Sequence, residues 1–259
     1  MRYQGSKKKM SKVIKSIVEK NIDANDWYVE PFVGGCNSFS EIKHHKKIGC
    51  DSNEYVIALW KDIQAGKFIA PMKVTKMLYE DVKKDYIEKT NVYPKSLIAY
   101  IGFACSHGSG WWNGYANYNE KKGEDHIEEA RNGLLRQIFN YEGLHDSLFF
   151  NCDYKDIILT DRAFIYCDPP YADTKKYVND FNSKEFWDWC REQVYNGHKV
   201  LVSEYNAPDD FICIWKKEMQ DGMGNSTNKK VEKLFIHVSQ IPMFNLEMLN
   251  KKKFNSLFK

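Results

Sequence analysis

Five apolar residues, Ala163-Phe164-Ile165-Tyr166-Cys167, run straight into Asp168-Pro169-Pro170-Tyr171, and this junction constrains the fold more than any other stretch of the chain. A short apolar run bounded by turn residues reads as a buried strand. Two successive prolines lack a backbone N–H and cannot continue a ladder. The strand therefore stops at Cys167, with Asp168 at its carboxyl end and the Pro169 carbonyl as a fixed acceptor beside it. Open α/β sheets gather their ligands at that end of the strands.

The N-terminal quarter has the same grammar. A helix is expected over 11–20, with Val13, Ile14, Ile17 and Val18 on one face and Ser11 as N-cap. A strand at Trp27-Tyr28-Val29 breaks at Glu30-Pro31 into the loop Phe32-Val33-Gly34-Gly35, and a helix is expected over 37–43. A second strand, Ile48-Gly49-Cys50, ends at Asp51; a helix over 55–65 follows and stops at Gly66. This alternation predicts an α/β, Rossmann-like fold with a mostly parallel sheet.

From residue 67 the pattern changes. Helical stretches at 75–88, 96–105 and 126–139 flank an irregular middle, 106–125, dense in glycine, asparagine and aromatics. Long irregular insertions are usually functional or disordered, and this aromatic density argues against disorder. Strand signals return at 148–150, 163–167 and 199–202, with a helix over 184–196 capped by Ser183. The runs 211–217 and 233–238 read as a β-hairpin, and 246–259 forms a short basic tail. The expected division is a main domain, 1–66 with 142–259, and a smaller, mainly helical inserted lobe, 67–141.

Composition narrows the class. The chain is 43% hydrophobic and 15% aromatic, as a globular protein is. Mean hydropathy is −0.60, and no apolar run approaches the roughly 18 residues of a spanning helix. The start, MRYQGSKKKM, has no apolar h-region, so the expectation is a cytoplasmic protein without a membrane segment. Cys36, Cys50, Cys105, Cys152, Cys167, Cys190 and Cys213 are odd in number and contain no CxxC pair; they read as reduced, mostly buried thiols, with no metal site. The net charge of +3 is carried in part by lysine clusters such as Lys46-Lys47 and Lys121-Lys122. Most of these are expected on the solvated surface, some along a phosphate-tracking face.

Asp168 and the Pro169 carbonyl suit one task. An aromatic exocyclic amine has two N–H bonds and a lone pair delocalised into its ring. Two fixed acceptors take both hydrogens, help the nitrogen pyramidalise and hold it for in-line attack on a methyl sulfonium. Pro170 stiffens the turn and Tyr171 offers a flat face for a displaced base. By itself the tetrapeptide also fits a plain strand-ending turn. The second signal is Glu30-Pro31-Phe32-Val33-Gly34-Gly35 with Asp51 at the end of the next strand. Glycines let backbone approach a ligand, and a strand-terminal carboxylate accepts ribose hydroxyls; a simple βα turn is the alternative.

Together these motifs resemble the Dam-like DNA adenine methyltransferases of the alpha arrangement, over most of the chain. Tyr3-Gln4-Gly5-Ser6-Lys7 looks like the family's N-terminal Y-x-G-x-K element, and 30–35 like its glycine-rich motif. The resemblance implies a Rossmann-like methyltransferase fold with a C-terminal β-hairpin and S-adenosyl-L-methionine as cofactor, leaving S-adenosylhomocysteine. It implies Tyr3 and Lys7 over the methionine moiety; Glu30, Pro31, Phe32, Gly34 and Gly35 in the cofactor loop; Asp51 on the ribose; Asp153, in Phe150-Asn151-Cys152-Asp153-Tyr154, near the adenine; and Asp168 at both cofactor and amine. Ser203-Glu204-Tyr205-Asn206 is similar to the strand end that shapes the target-base pocket.

The implied substrate is duplex DNA with a flipped adenine, and the inserted segment 67–141 is then the target-recognition region. Its candidate contacts are Trp111, Trp112, Asn113, Tyr115, Asn117, Tyr118, Lys121 and Lys122, joined after the proline pair by Thr174, Lys175 and Tyr177. Asparagines suit adenine edges and aromatics suit wedging into the stack; a polar loop with its aromatics packed on the lobe fits 110–122 equally. A monomer or weak dimer is expected, with a modification role in restriction–modification. N4-cytosine methylation, and a DNA-binding relative without activity, stay open as alternatives.

Overall fold

The computed structural model describes residues 1–7, 10–116, 125–170, 181–219 and 230–246. Its seven strands form one sheet in the order β3-β2-β1-β4-β5-β7-β6, where β1 is Trp27–Glu30, β2 Lys47–Asp51, β3 Leu148–Asn151, β4 Ala163–Cys167, β5 Lys199–Glu204, β6 Phe211–Met219 and β7 Lys230–His237. The helices are α1 (Ser11–Asn21), α2 (Glu54–Gln64), α3 (Lys76–Glu88), α4 (Lys95–Ala99), α5 (His126–Asn140) and α6 (Ser183–Tyr195). The α/β fold with a mostly parallel sheet and a closing hairpin is as the sequence leads one to expect. The chain divides into two compact units, 1–15 with 33–156, and 16–32 with 157–259; the segment 67–141 lies wholly within the first.

In the first unit β2 and β3 run parallel, with Ile48 opposite Leu148 and Asp51 opposite Asn151. The apolar face of α2 buries Val56, Leu59, Trp60 and Ile63, and Asn53 caps it by accepting from the Tyr55 and Val56 amides. Gln64, at its end, donates to the carbonyls of Leu144, His145 and Ser147 at 2.7–3.2 Å, which fixes the approach to β3. Thr75 and Asp125 cap α3 and α5.

In the second unit β1 pairs parallel with β4, Tyr28 opposite Phe164, and β4 with β5, Tyr166 opposite Leu201. All five residues of β4 are buried, as expected of its uniform apolar run. The hairpin β6–β7 joins antiparallel through β7, with Leu234 opposite Ser203. His198, buried just before β5, accepts the Ala163 amide on Nδ1 at 3.2 Å, and burial lowers its pKa below the ordinary histidine value.

Three local expectations need correction. The helix expected over 37–43 is only a 3-10 turn, Phe39–Glu41. The Phe39 carbonyl, which that helix would use internally, instead accepts from Lys47 Nζ at 3.3 Å, and the Ile42 carbonyl, in its last turn, accepts from the same ammonium at 3.1 Å. Lys47 also departs from the solvated surface expected of most lysine pairs: it is 1% exposed, with its ammonium 4.3 Å from the Tyr141 ring centroid and 5.0 Å from that of Phe39. The helix expected over 96–105 becomes α4 followed by a π turn, Tyr100–Ala104. Asn182, rather than Ser183, caps α6. The tail beyond 246 lies outside the described residues.

Lys47→Ala removes the Nζ donor from the carbonyls of Phe39 and Ile42, and a lost hydrogen bond to a charged donor is worth about 1.5–3 kcal/mol. The expected loss in urea unfolding is about 2–4 kcal/mol, against under about 0.5 kcal/mol for the exposed Lys61.

Candidate active site

Strand order reverses direction between β1 and β4, the topological switch at which open α/β sheets bind ligands. In the second unit these two strands end side by side in Glu30-Pro31 and Asp168-Pro169-Pro170. Glu30 is 2% exposed and accepts the Tyr28 hydroxyl at 2.5 Å, two residues back on the same strand face. Pro169 is buried and Asp168 half-buried. Tyr166 precedes Asp168 by two and is fully buried; desolvation, then the carboxylates of Asp168 and Glu30, hold its phenol well above the usual tyrosine pKa. Ser203 is fully buried at the end of β5, and the Glu204 carboxylate accepts the Tyr205 amide at 2.7 Å. Phe32 packs edge-on against Phe186 of α6, centroids 5.8 Å apart. Of the acids named from sequence, Glu30 and Asp168 stand beside Tyr166, which sequence reasoning passed over as core.

The glycine loop lies in the first unit with Tyr3, Lys7, Asp51 and Asp153. Gly34 donates its amide to Asp51 Oδ2 at 2.9 Å, and Asn53 donates to Oδ1 at 2.9 Å. Trp60 Nε1 donates to the Gly34 carbonyl at 3.0 Å. Gly34 has φ of +44°, and a Cβ built there falls 2.8 Å from Tyr3 Cε1. One on Gly35 would meet Tyr3 Cβ and Asn37 Nδ2, each at 2.7 Å. Both glycines are therefore required by the close seating of Tyr3. Burial pushes the Asp51 carboxyl up to about 6, although the Asn53 and Gly34 amides pull it down. Lys7 is buried, with Nζ 3.4 Å from the Gly5 carbonyl. Asp153 accepts the Lys155 amide at 3.0 Å in the turn after β3, and Asn151 Nδ2 reaches the carbonyls of Asp51 and Ser52 at 2.9 and 3.1 Å.

The segment 67–116 holds an aromatic cluster. Trp111 stacks on Phe103 of the π turn at 4.5 Å and donates Nε1 to Tyr86 at 3.2 Å. Trp112 packs on Tyr79, Tyr86 and Trp111 at 5.3–5.6 Å, and Tyr115 donates its hydroxyl to the Val74 carbonyl at 2.7 Å. The Gly102 carbonyl in the π turn accepts from the Trp112 amide and from Ser106 Oγ, at 2.9 and 2.8 Å. Of the candidate DNA contacts, Trp111, Trp112 and Tyr115 are half-buried in this cluster, and Asn113 is exposed. Asn117, Tyr118, Lys121, Lys122, Tyr171, Thr174, Lys175 and Tyr177 lie outside the described residues. The ring contacts continue from Trp111 through Phe103 to Tyr3, 4.4 Å away. No sequence motif signals this chain of rings.

Among the described residues no group of three or more His, Cys, Asp or Glu is placed to hold a metal ion, and no helix is long and apolar enough to cross a membrane. The seven cysteines are free thiols.

Residues 3–211 match the family model of D12 class N6 adenine-specific DNA methyltransferases. The chain belongs to that family. Among curated relatives, the modification methylase StsI of Streptococcus sanguinis is 27% identical over 209 residues, 73% of this chain and 31% of its own. The type II methyltransferase M.FokI of Planomicrobium okeanokoites is 27% identical over 265 residues, 88% of this chain and 40% of its own. The retron Ec67 DNA adenine methylase of Escherichia coli is 24% identical over 214 residues, 73% of this chain and 72% of its own. The chain thus spans less than half the length of the first two.

Gly34→Ala drives a methyl group into Tyr3 at a left-handed position. It is expected to cost about 1–3 kcal/mol in thermal or urea unfolding, and Tyr3→Ala in the same chain should recover part of that loss.

Proposed function

We propose that this chain transfers a methyl group from S-adenosylmethionine to N6 of an adenine flipped out of duplex DNA. The observation that carries the reading is Asp168-Pro169-Pro170 at the carboxyl end of buried β4, beside the end of β1 where the strand order reverses. Among the described residues no backbone amide donates to the Pro169 carbonyl. The Asp168 carboxylate and that carbonyl accept the two amine hydrogens, so the nitrogen lone pair is freed from the ring and aimed. The amine would gain the methyl group as the donor's S–CH3 bond breaks to leave the thioether S-adenosylhomocysteine, and would release one proton to solvent.

The residues of the glycine loop fit the cofactor. Gly34 and Gly35 leave a surface without Cβ atoms beneath Tyr3, and Asp51 keeps lone pairs for hydroxyl donors beyond the two amides it accepts. S-adenosylmethionine supplies a methyl group activated by its sulfonium. In this reading Asp51 takes the ribose, Tyr3 and Lys7 flank the methionine moiety, Glu30, Pro31 and Phe32 carry the loop, and Asp153 lies by the adenine.

Segment 67–141 serves target recognition, and with it Asn113 and the basic residues near 121–122 and 174–177 hold DNA; Trp111, Trp112 and Tyr115 form the platform beneath. Tyr171 stacks on the flipped base. The family's N6-adenine description favours adenine over N4-cytosine. By analogy with StsI and M.FokI, named as modification and type II methylases, the chain acts in the cytoplasm as the modification arm of a restriction–modification pair.

Expression in a host without adenine methylation, followed by single-molecule sequencing, should report N6-methyladenine in one sequence context. Asp168→Ala should lower that transfer by at least about 100-fold while cofactor binding persists; wild-type turnover in the variant would sink the mechanism.

Asp51, pushed up to about 6 by burial, is protonated below that pH and loses acceptor capacity. Cofactor affinity should therefore rise between about pH 5 and 7, and the dependence should flatten in Asp51→Asn. An unchanged pH profile in the variant would remove Asp51 from the cofactor site.

A further inference from the structure

The loop after Gly34 contains a second strained position. Cys36 has φ of +52°, a left-handed conformation that non-glycine residues adopt only when their surroundings hold them there. The Cys36 amide closes a turn on the Val33 carbonyl at 2.8 Å, the Cys36 carbonyl accepts the Ser40 amide at 3.0 Å, and the Gly35 carbonyl accepts the N-terminal ammonium of Met1 at 3.1 Å. Gln137, on α5, adds a second donor to each. Its Nε2 lies 3.0 Å from the Gly35 carbonyl, 2.9 Å from the Cys36 carbonyl and 3.1 Å from Ser40 Oγ.

Two hydrogens thus serve three acceptors, and the amide orientation is fixed, because the reverse would set Oε1 against two carbonyl oxygens. Oε1 is itself buried without a hydrogen-bond partner among the described residues. A buried acceptor left unpaired opposes folding and offsets part of what the Nε2 bonds contribute. Segment 67–141 also grips the N-terminal residues of the same region, through Arg2 to the His126 carbonyl at 3.1 Å and to the Glu129 carboxylate, and through Phe103 against Tyr3.

We propose that Gln137 is a positioning residue for cofactor binding: from the inserted segment, its amide holds Gly35–Cys36 in the left-handed turn that seats S-adenosylmethionine. The proposal rests on the reading of the glycine loop as the cofactor site. Gln137 acts through the loop, so its loss appears in cofactor KM rather than in kcat.

The test is S-adenosylmethionine titration calorimetry and steady-state kinetics on the full chain, with DNA affinity measured without cofactor. Gln137→Met keeps the length and removes the donors. Gln137→Glu sets oxygens against the carbonyls, and Gln137→Lys restores donors. The expected result is a rise of at least about tenfold in cofactor Kd and KM for Met and Glu, with kcat and DNA affinity within about threefold of wild type and recovery in Lys. Wild-type cofactor affinity in Gln137→Met, with affinity lost in Asp51→Ala, overturns the positioning role and leaves the cofactor reading intact. Unchanged affinity in both variants overturns the cofactor reading itself. Parallel loss of cofactor affinity, DNA affinity and Tm in Gln137→Met, without recovery in Lys, reduces Gln137 to a structural contact and overturns the proposal.

Discussion

Asp51 accepts the Gly34 amide on one carboxylate oxygen and the Asn53 amide on the other, so one buried group ties the glycine loop to the turn that launches α2. The end of β2 supplies the carboxylate, and the neighbouring Asn53 side chain caps the helix. Trp60 of that helix returns a hydrogen bond to the Gly34 carbonyl. Each partner fixes the next, and the loop becomes a shape rather than a flexible connection. The cost is a carboxyl raised to about 6 by desolvation, kept ionised at neutral pH by the amides it receives.

The inserted segment is built on rings instead of on hydrogen-bonded ladders. The π turn at Tyr100–Ala104 releases the Gly102 carbonyl to Trp112 and Ser106, and at Gly102 a Cβ would fall 2.5 Å from Trp111. A π turn of this kind often marks a functional position. Here it lets Phe103 reach Trp111 on one side and Tyr3 on the other. In the second unit Glu30, Tyr166, Asp168 and Ser203 bring polar groups onto one face of largely apolar strands. Polar residues at the buried ends of strands mark a site rather than a core.

The strands, most helices and the two acids Asp51 and Asp168 were legible in the sequence because their signals are local. Apolar runs, capping residues and a proline pair act within a few residues of themselves. The glycine requirement at Gly34 and Gly35 was legible for the same reason, although the residue that demands it, Tyr3, comes from 31 positions before Gly34. Where the sequence misled, long-range partners had overridden local preference. The turn at 39–41 stops short of a helix where the Phe39 carbonyl, and that of Ile42 just after it, accept from Lys47. Lys47 itself looked like surface because its ring and carbonyl partners are visible only after folding.

By its own pattern, then, the sequence determined the layered α/β class, the closing hairpin, the acid after β4 and the glycine loop with its strand-end carboxylate. Only the tertiary structure decided that Trp111 and Trp112 pack into a ring cluster, that Tyr166 stands with Asp168, and that Gln137 supports the loop from 100 residues away. Periodicity and turn chemistry are properties of neighbours along the chain. Hydrogen bonds and ring contacts across such separations exist only once the sheet and its helices have brought the partners together.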